Sequence, residues 1–228
     1  ADKVDSRDAS LRNLMIKFAN SPQVQQFIAG KLNNNSLTLS KKLLLIDVMN
    51  QANIGELPDS WVKQAGVLLR SDDYEIRSAI LNVIKSRRVA ALNTALNQMI
   101  QDEKYSADFK LKALGARLMS DPVLTAPAFT LITHFLSAEF PSPVRQEAAR
   151  LLTQSKLNDT QLAELAKTQL ATADVFLLPD LISAYKGGNS EAAGMALIEA
   201  LGKNTDRLEN LSVADMQKLF TTYPQSVQ

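Results

Sequence analysis

The sequence predicts an all-α fold, and three observations carry that prediction. Apolar residues recur with a spacing near 3.6 along most of the 228-residue chain. Aromatics make up only 6 %, and with 8 Gly and 8 Pro against much Ala and Leu the composition favours helix over sheet. Helix start and stop signals follow one another at short intervals, and no stretch alternates with period two for long enough to make a strand.

Periodicity alone marks a first helix near 8–19. Ser21-Pro22 opens the next, 22–32, because a proline at the start of a helix gives up an N–H that had no intrahelical partner. SKKLLLIDVM sets a helix over 40–51, and WVKQAGVLLR one over 59–70. Asp72 with Glu75 has the capping-box spacing and starts 73–86, whose Ile76, Ile80, Val83 and Ile84 share one stripe. KSRR at 85–88 closes it, cations being favourable at the carbonyl end. Helices near 90–102, 106–119 and 126–138 follow from their apolar spacing. Ser142-Pro143 opens 142–154, with Val144, Ala148, Leu151 and Leu152 on one face. Asn158 with Gln161 is a second capping box, starting 160–171. Gly187-Gly188 ends 176–186, Gly202 ends 190–202, and a last helix lies near 212–222.

Internal repetition organises these helices. In YEIRSAILNVI (74–84), ADFKLKALGAR (107–117) and SPVRQEAARLL (142–152), an apolar residue precedes a cation: Ile76-Arg77, Phe109-Lys110 and Val144-Arg145. Three residues further on stand Ile80, Ala113 and Ala148, each followed by a second apolar residue. The cations are 33 and 35 residues apart, and 35 before Arg77 lies Lys42. Thirty-five after Arg145 lies Asp180, so the cation lapses in the last third. One helical hairpin per step, each needing its neighbours to bury its apolar face, gives an α-α superhelix of about six hairpins in a single domain over 1–228.

This arrangement resembles HEAT repeats of the armadillo-like kind. Val144-Arg145 with Ala148-Ala149, Ile76-Arg77 with Ile80-Leu81, and Phe109-Lys110 with Ala113-Leu114 carry the likeness, over residues 38–157. A narrower one is to the helical-repeat segment of large bacterial proteins that join a dehydrogenase-like β-propeller to a c-type cytochrome domain. It rests on DRLENLSVADMQKLFTTYPQSVQ. That likeness implies a fragment of a larger multidomain protein, periplasmic or exported; without it the compartment expected is the cytoplasm.

Composition narrows the chemistry. The net charge is +1, with 16 Lys/Arg against 12 Asp/Glu in residues 1–114 and 9 against 12 in 115–228. That balance is too mild for a phosphate-backbone ligand, so nucleic acid is not expected. With no Cys, disulfides, thiolate metal sites and a Cys nucleophile are excluded. No apolar run reaches the length of a membrane span. His134 is the only histidine, and neither a Gly-x-Ser-x-Gly elbow nor a phosphate loop occurs. Asp72-Asp73 and Asp102-Glu103 lie at helix ends. No catalytic residue, metal or cofactor is therefore expected.

The expectation is a non-catalytic scaffold that contacts other proteins or neighbouring domains. The alternative is a HEAT-scaffold enzyme or nucleic-acid binder, glycosylase-like or lyase-like, with Trp61 as a stacking aromatic. Lys42, Arg77, Lys110 and Arg145 are read as a structural ladder on the second helices of the hairpins. The concave row of the solenoid would hold Ser78, Asn82 and Lys85, then Gln146, Arg150 and Thr153. The middle repeat gives Leu111, Gly115 and Leu118 instead, either an apolar contact patch or a register slip. Gly66, Gly115 and Gly194, inside helices at a cost of roughly 1 kcal/mol each, mark close helix approach.

Overall fold

The structure, a computed structural model, describes residues 6–203 and 212–228. Among them are thirteen α-helices. They are α1 (Ser6–Lys17), α2 (Pro22–Leu32), α3 (Leu39–Gln51), α4 (Asp59–Leu68), α5 (Tyr74–Arg87), α6 (Asn93–Gln101) and α7 (Ala107–Leu118). After these come α8 (Ala126–His134), α9 (Ser142–Gln154), α10 (Asp159–Thr168), α11 (Leu178–Ser183), α12 (Glu191–Gly202) and α13 (Val213–Phe220). No strand occurs among the described residues; one parallel bridge pairs Val123 with Lys156. The fold is all-α and helical-repeat-like.

The start signals act with small shifts. Asn158 and Gln161 close a full capping box at α10. At α5 the cap is Asp73, not Asp72: its carboxylate accepts the Glu75 and Ile76 N–H groups. At α9 the cap position belongs to Pro141, so Ser142 is the first helical residue and its hydroxyl caps nothing. The expected 90–102 and 160–171 helices each contain a 3-10 turn, at Ala90–Leu92 and Leu170–Thr172, the tighter winding common at helix ends. Arg88 closes α5 in the left-handed region at φ 52°, the conformation glycine more often supplies.

The chain divides into two compact units, 1–102 with 115–121, and 103–114 with 122–228; the division falls inside α7. In the first unit the helices alternate between two rows. α3 packs on both α1 and α5, α2 packs on α4, and α2–α3 and α4–α5 are hairpin partners. Polar bonds tie successive hairpins at the repeat spacing. The Trp61 indole N–H donates to the Gln25 carbonyl at 3.0 Å, 36 residues away. Ser86 bonds Asn50, and the Arg87 guanidinium donates to the Ala52 and Ile54 carbonyls at the end of α3. Arg12 on α1 pairs with Asp47 on α3, 35 residues on.

The second unit repeats the pattern: α9 packs on α11, α10 on α12, and α8 on α9. Gln161 Nε2 donates to the Leu124 carbonyl at 2.9 Å, 37 residues back. Thr222 donates to the Gly188 carbonyl at 2.7 Å across 34 residues, and Ser226 to Glu191 at 2.6 Å across 35. The period read from three cations is therefore also the spacing of hydrogen bonds those cations do not make.

Candidate interaction surfaces

The four ladder positions behave in two ways. Arg77 donates to the Ser71 carbonyl at 2.6 Å, in the turn between α4 and α5. Arg145 donates from Nε to the Leu136 carbonyl at 3.2 Å and pairs through Nη2 with Asp174. Asp174 in turn accepts the Phe176 and Leu177 N–H groups just before α11. Arg145 thus ties the α8–α9 turn to the entrance of the next hairpin. Lys42 and Lys110 are half-buried, and neither side chain has a hydrogen bond or ion pair among the described residues.

The row expected to face a partner falls into two stripes, one in each unit. On α5, Asn82 is exposed while Ser78 and Lys85 are half-buried. On α9, Gln146 is exposed, Thr153 half-buried, and Arg150 holds Glu147 in an ion pair one turn back, Nε to Oε2 at 2.7 Å. The hydrogen bond to Glu147 raises the Arg150 pKa against the opposing cost of burial, with help from the Glu147 and Asp180 charges. In the middle repeat Leu111, Gly115 and Leu118 are all buried, so they form no exposed patch. The physical reason is that α7 is covered almost all round, from Phe109 to Leu118.

Trp61 is fully buried with its N–H satisfied, leaving no ring face for a base to stack on. His134 is exposed and meets the Phe140 ring edge-on at 5.0 Å. No group of three His, Cys, Asp or Glu residues able to hold a metal ion occurs among the described residues. Gly66 and Gly194 do mark close approaches. A Cβ at Gly66 would stand 3.3 Å from Leu92, and one at Gly194 would stand 2.5 Å from Val227.

Two features escaped the sequence reading. The first is an apolar surface on α1 and α2. Leu11, Leu14 and Phe18 (the residue just past α1) are about half exposed on one stripe, and Phe27 of α2 is 50 % exposed. Lys17 and Lys31 stand 5.8 and 5.5 Å from the centres of the Phe18 and Phe27 rings. A signal was present: from residue 9 to residue 46 the chain has five Lys/Arg and no Asp or Glu. The second is a C-terminal seal. Tyr223 donates its hydroxyl to the Tyr185 carbonyl at 3.0 Å, and Tyr185 donates to the Leu162 carbonyl at 2.7 Å. Burial pushes the Tyr223 hydroxyl up to about 12, with the Asp159 charge adding to it, and pushes that of Tyr185 higher still. Beside this seal a groove of about 640 Å³ runs between α11 and α13, lined by Pro179, Ile182, Lys186, Met216 and Leu219.

No family model matches the chain, and no curated protein or solved structure compared with it matches either.

Proposed function

We propose that the chain is a non-catalytic helical-repeat scaffold of the HEAT kind that holds other proteins or neighbouring domains of its own polypeptide. The observation that carries this reading is the use made of polar side chains. Arg87, Arg145, Gln161 and Trp61 tie one hairpin to another, while Asn82 and Gln146 stand exposed on second helices. Hairpins joined in this way leave the outer sides of their second helices free to meet a partner. The HEAT assignment is supported by the placement of Arg77 and Arg145 in the first turn of α5 and α9, the second helices of their hairpins. The narrower likeness, to the segment between a propeller and a cytochrome domain, rests on the C-terminal run, of which residues 206–211 lie outside the described residues.

Photo-crosslinking residues placed at Asn82 and Gln146 in the full-length gene product test the scaffold reading. Discrete crosslinks to a partner protein or a neighbouring domain are the expected result. Loss of those crosslinks, or a stoichiometric metal whose removal by chelator lowers the melting temperature, would overturn it in favour of an enzyme.

A further inference from the structure

We propose that the outer surface of α1–α2 and the exposed face of α12 are the two halves of a head-to-tail contact between copies of this chain. The inference rests on the scaffold reading and names one of its partners. α1 carries one apolar stripe, Leu11, Leu14 and Met15 continued by Phe18 and Ala19 just beyond the helix, at the i, i+3, i+4, i+7, i+8 spacing. Met15 and Ala19 are buried, while Leu11, Leu14 and Phe18 along its outer edge are about half exposed. With half-exposed Phe27 of α2 they form an apolar surface that a partner can cover.

Charge selects what covers it. The outward stripe is flanked by exposed Lys17 and Lys31, in a stretch without a single acidic residue between Asp8 and Asp47. Arg12, a further cation of α1, is already paired with Asp47. α12 carries the complement. Glu191, Met195, Ile198 and Glu199 are all exposed, and residues 187–202 hold two acids and no cation. Lys203 faces Glu199 at 2.6 Å, but both side chains are mostly exposed, and a surface pair of this kind contributes little. Glu191 accepts the Ser226 hydroxyl and keeps its second oxygen for a cation.

A contact between two different patches is heterologous, so it propagates into rings or filaments instead of closing as a two-fold dimer. Six partly exposed apolar side chains fall short of the roughly 800 Å² per partner of a stable interface, so the association is weak and concentration-dependent.

Sedimentation velocity of the 228-residue chain over a wide concentration range is the test. The expected result is a weight-average mass that rises with concentration, and that falls back when salt goes from about 0.1 M to about 1 M and the Debye length shortens from about 10 to about 3 Å. Phe18→Ser/Phe27→Ser and Met195→Ser/Ile198→Ser should each be monomeric alone, yet form a dimer when mixed, since each keeps the half the other lacks. Lys17→Glu/Lys31→Glu reverses two exposed charges and should weaken association about tenfold while the chain keeps its helical circular-dichroism signal. A monomeric wild-type chain, variants that still associate alone, or a mixture that stays monomeric would each overturn the contact. If that happens while Asn82 and Gln146 still crosslink, the scaffold reading survives and another protein's acidic helix, or further polypeptide, covers α1–α2.

Discussion

The first thirty-odd residues and the last forty-odd contain the same kinds of residue and treat them in opposite ways. Phe18 and Phe27 are each 50 % exposed. Tyr185 and Tyr223 are buried, their hydroxyls bonded to carbonyls of other elements. Two glycines make room for Tyr223: a Cβ at Gly188 would fall 2.1 Å from its hydroxyl, and one at Gly194 2.8 Å from its ring. Among the described residues no glycine opens a place for Phe18 or Phe27, and the ammonium groups of Lys17 and Lys31 stand over their rings. The difference teaches that an aromatic residue near the end of a repeat array seals the core only where a small partner and a hydrogen-bond acceptor have been provided for it. Otherwise it is surface.

The sharpest way to break the comparison is to remove the seal. Tyr223→Ala should lower stability by about 3 kcal/mol, the low end of the range for deleting a buried aromatic, read by denaturant unfolding. Gly188→Ala should act in the same direction by displacing the hydroxyl that the added methyl would overlap. The seal also has a pH signature. Burial favours the protonated phenol, so the folded-state pKa of Tyr223, about 12, lies above the unfolded value near 10. A group raised in this way contributes stability that is complete below pH 10 and is lost as the pH rises towards 12. Tyr185 acts in the same sense. Phenolate absorbance from these two residues should therefore appear together with loss of the helical signal; ionisation with the helices intact would show the seal to be open.

Helix positions, the two-helix step and the Asn158–Gln161 capping box were legible because they depend on residues within a few places of each other. The α9 boundaries, 142–154, follow directly from Pro143 and the Ala148–Leu151–Leu152 stripe. Residues that meet across hairpins were not legible in the same way. Arg87 was read as a helix-end charge on α5, yet its guanidinium reaches the carbonyls that end α3. Leu111, Gly115 and Leu118 occupy positions that are polar in the flanking repeats, and only the burial of α7 on nearly all sides explains them. The exposed stripe of α1 has the same spacing as a core stripe. Its surroundings in charge, not its periodicity, set it apart.

A second, smaller effect sharpens the contrast between a tie within one end and a tie between hairpins. Arg145→Ala removes the bonds to Leu136 and Asp174 and leaves the Asp174 carboxylate without its cation. The expected loss is about 1–2 kcal/mol, the range for hydrogen bonds involving charged groups. Arg77→Ala, at the equivalent place in the first unit, should fall in the same range. Lys110→Ala, with no bond to lose, should stay within about 0.5 kcal/mol. Equal melting temperatures for all three variants would show that the cations do not hold the stack.

The smallest effect is expected where the exposed aromatics stand. Phe27→Ser trades one residue of middling helix propensity for another, so the backbone of α2 changes little. Only half of the ring is out of water, which limits the lost burial to about half of the 1.5–3 kcal/mol a fully buried side chain contributes. The Lys31 ammonium over the ring adds about 0.5 kcal/mol at an exposed site, and relief of an exposed apolar surface offsets part of the sum. The net loss should be about 1 kcal/mol, well under that of Tyr223→Ala, measured in the same denaturant. A loss approaching 3 kcal/mol would mean that Phe27 is as structural as Tyr223, and the two ends would then differ in exposure without differing in role. A loss near 1 kcal/mol leaves a ring that the fold scarcely needs, in a stretch with no acidic residue between Asp8 and Asp47, which is the condition for a residue kept for contact with something outside its own core.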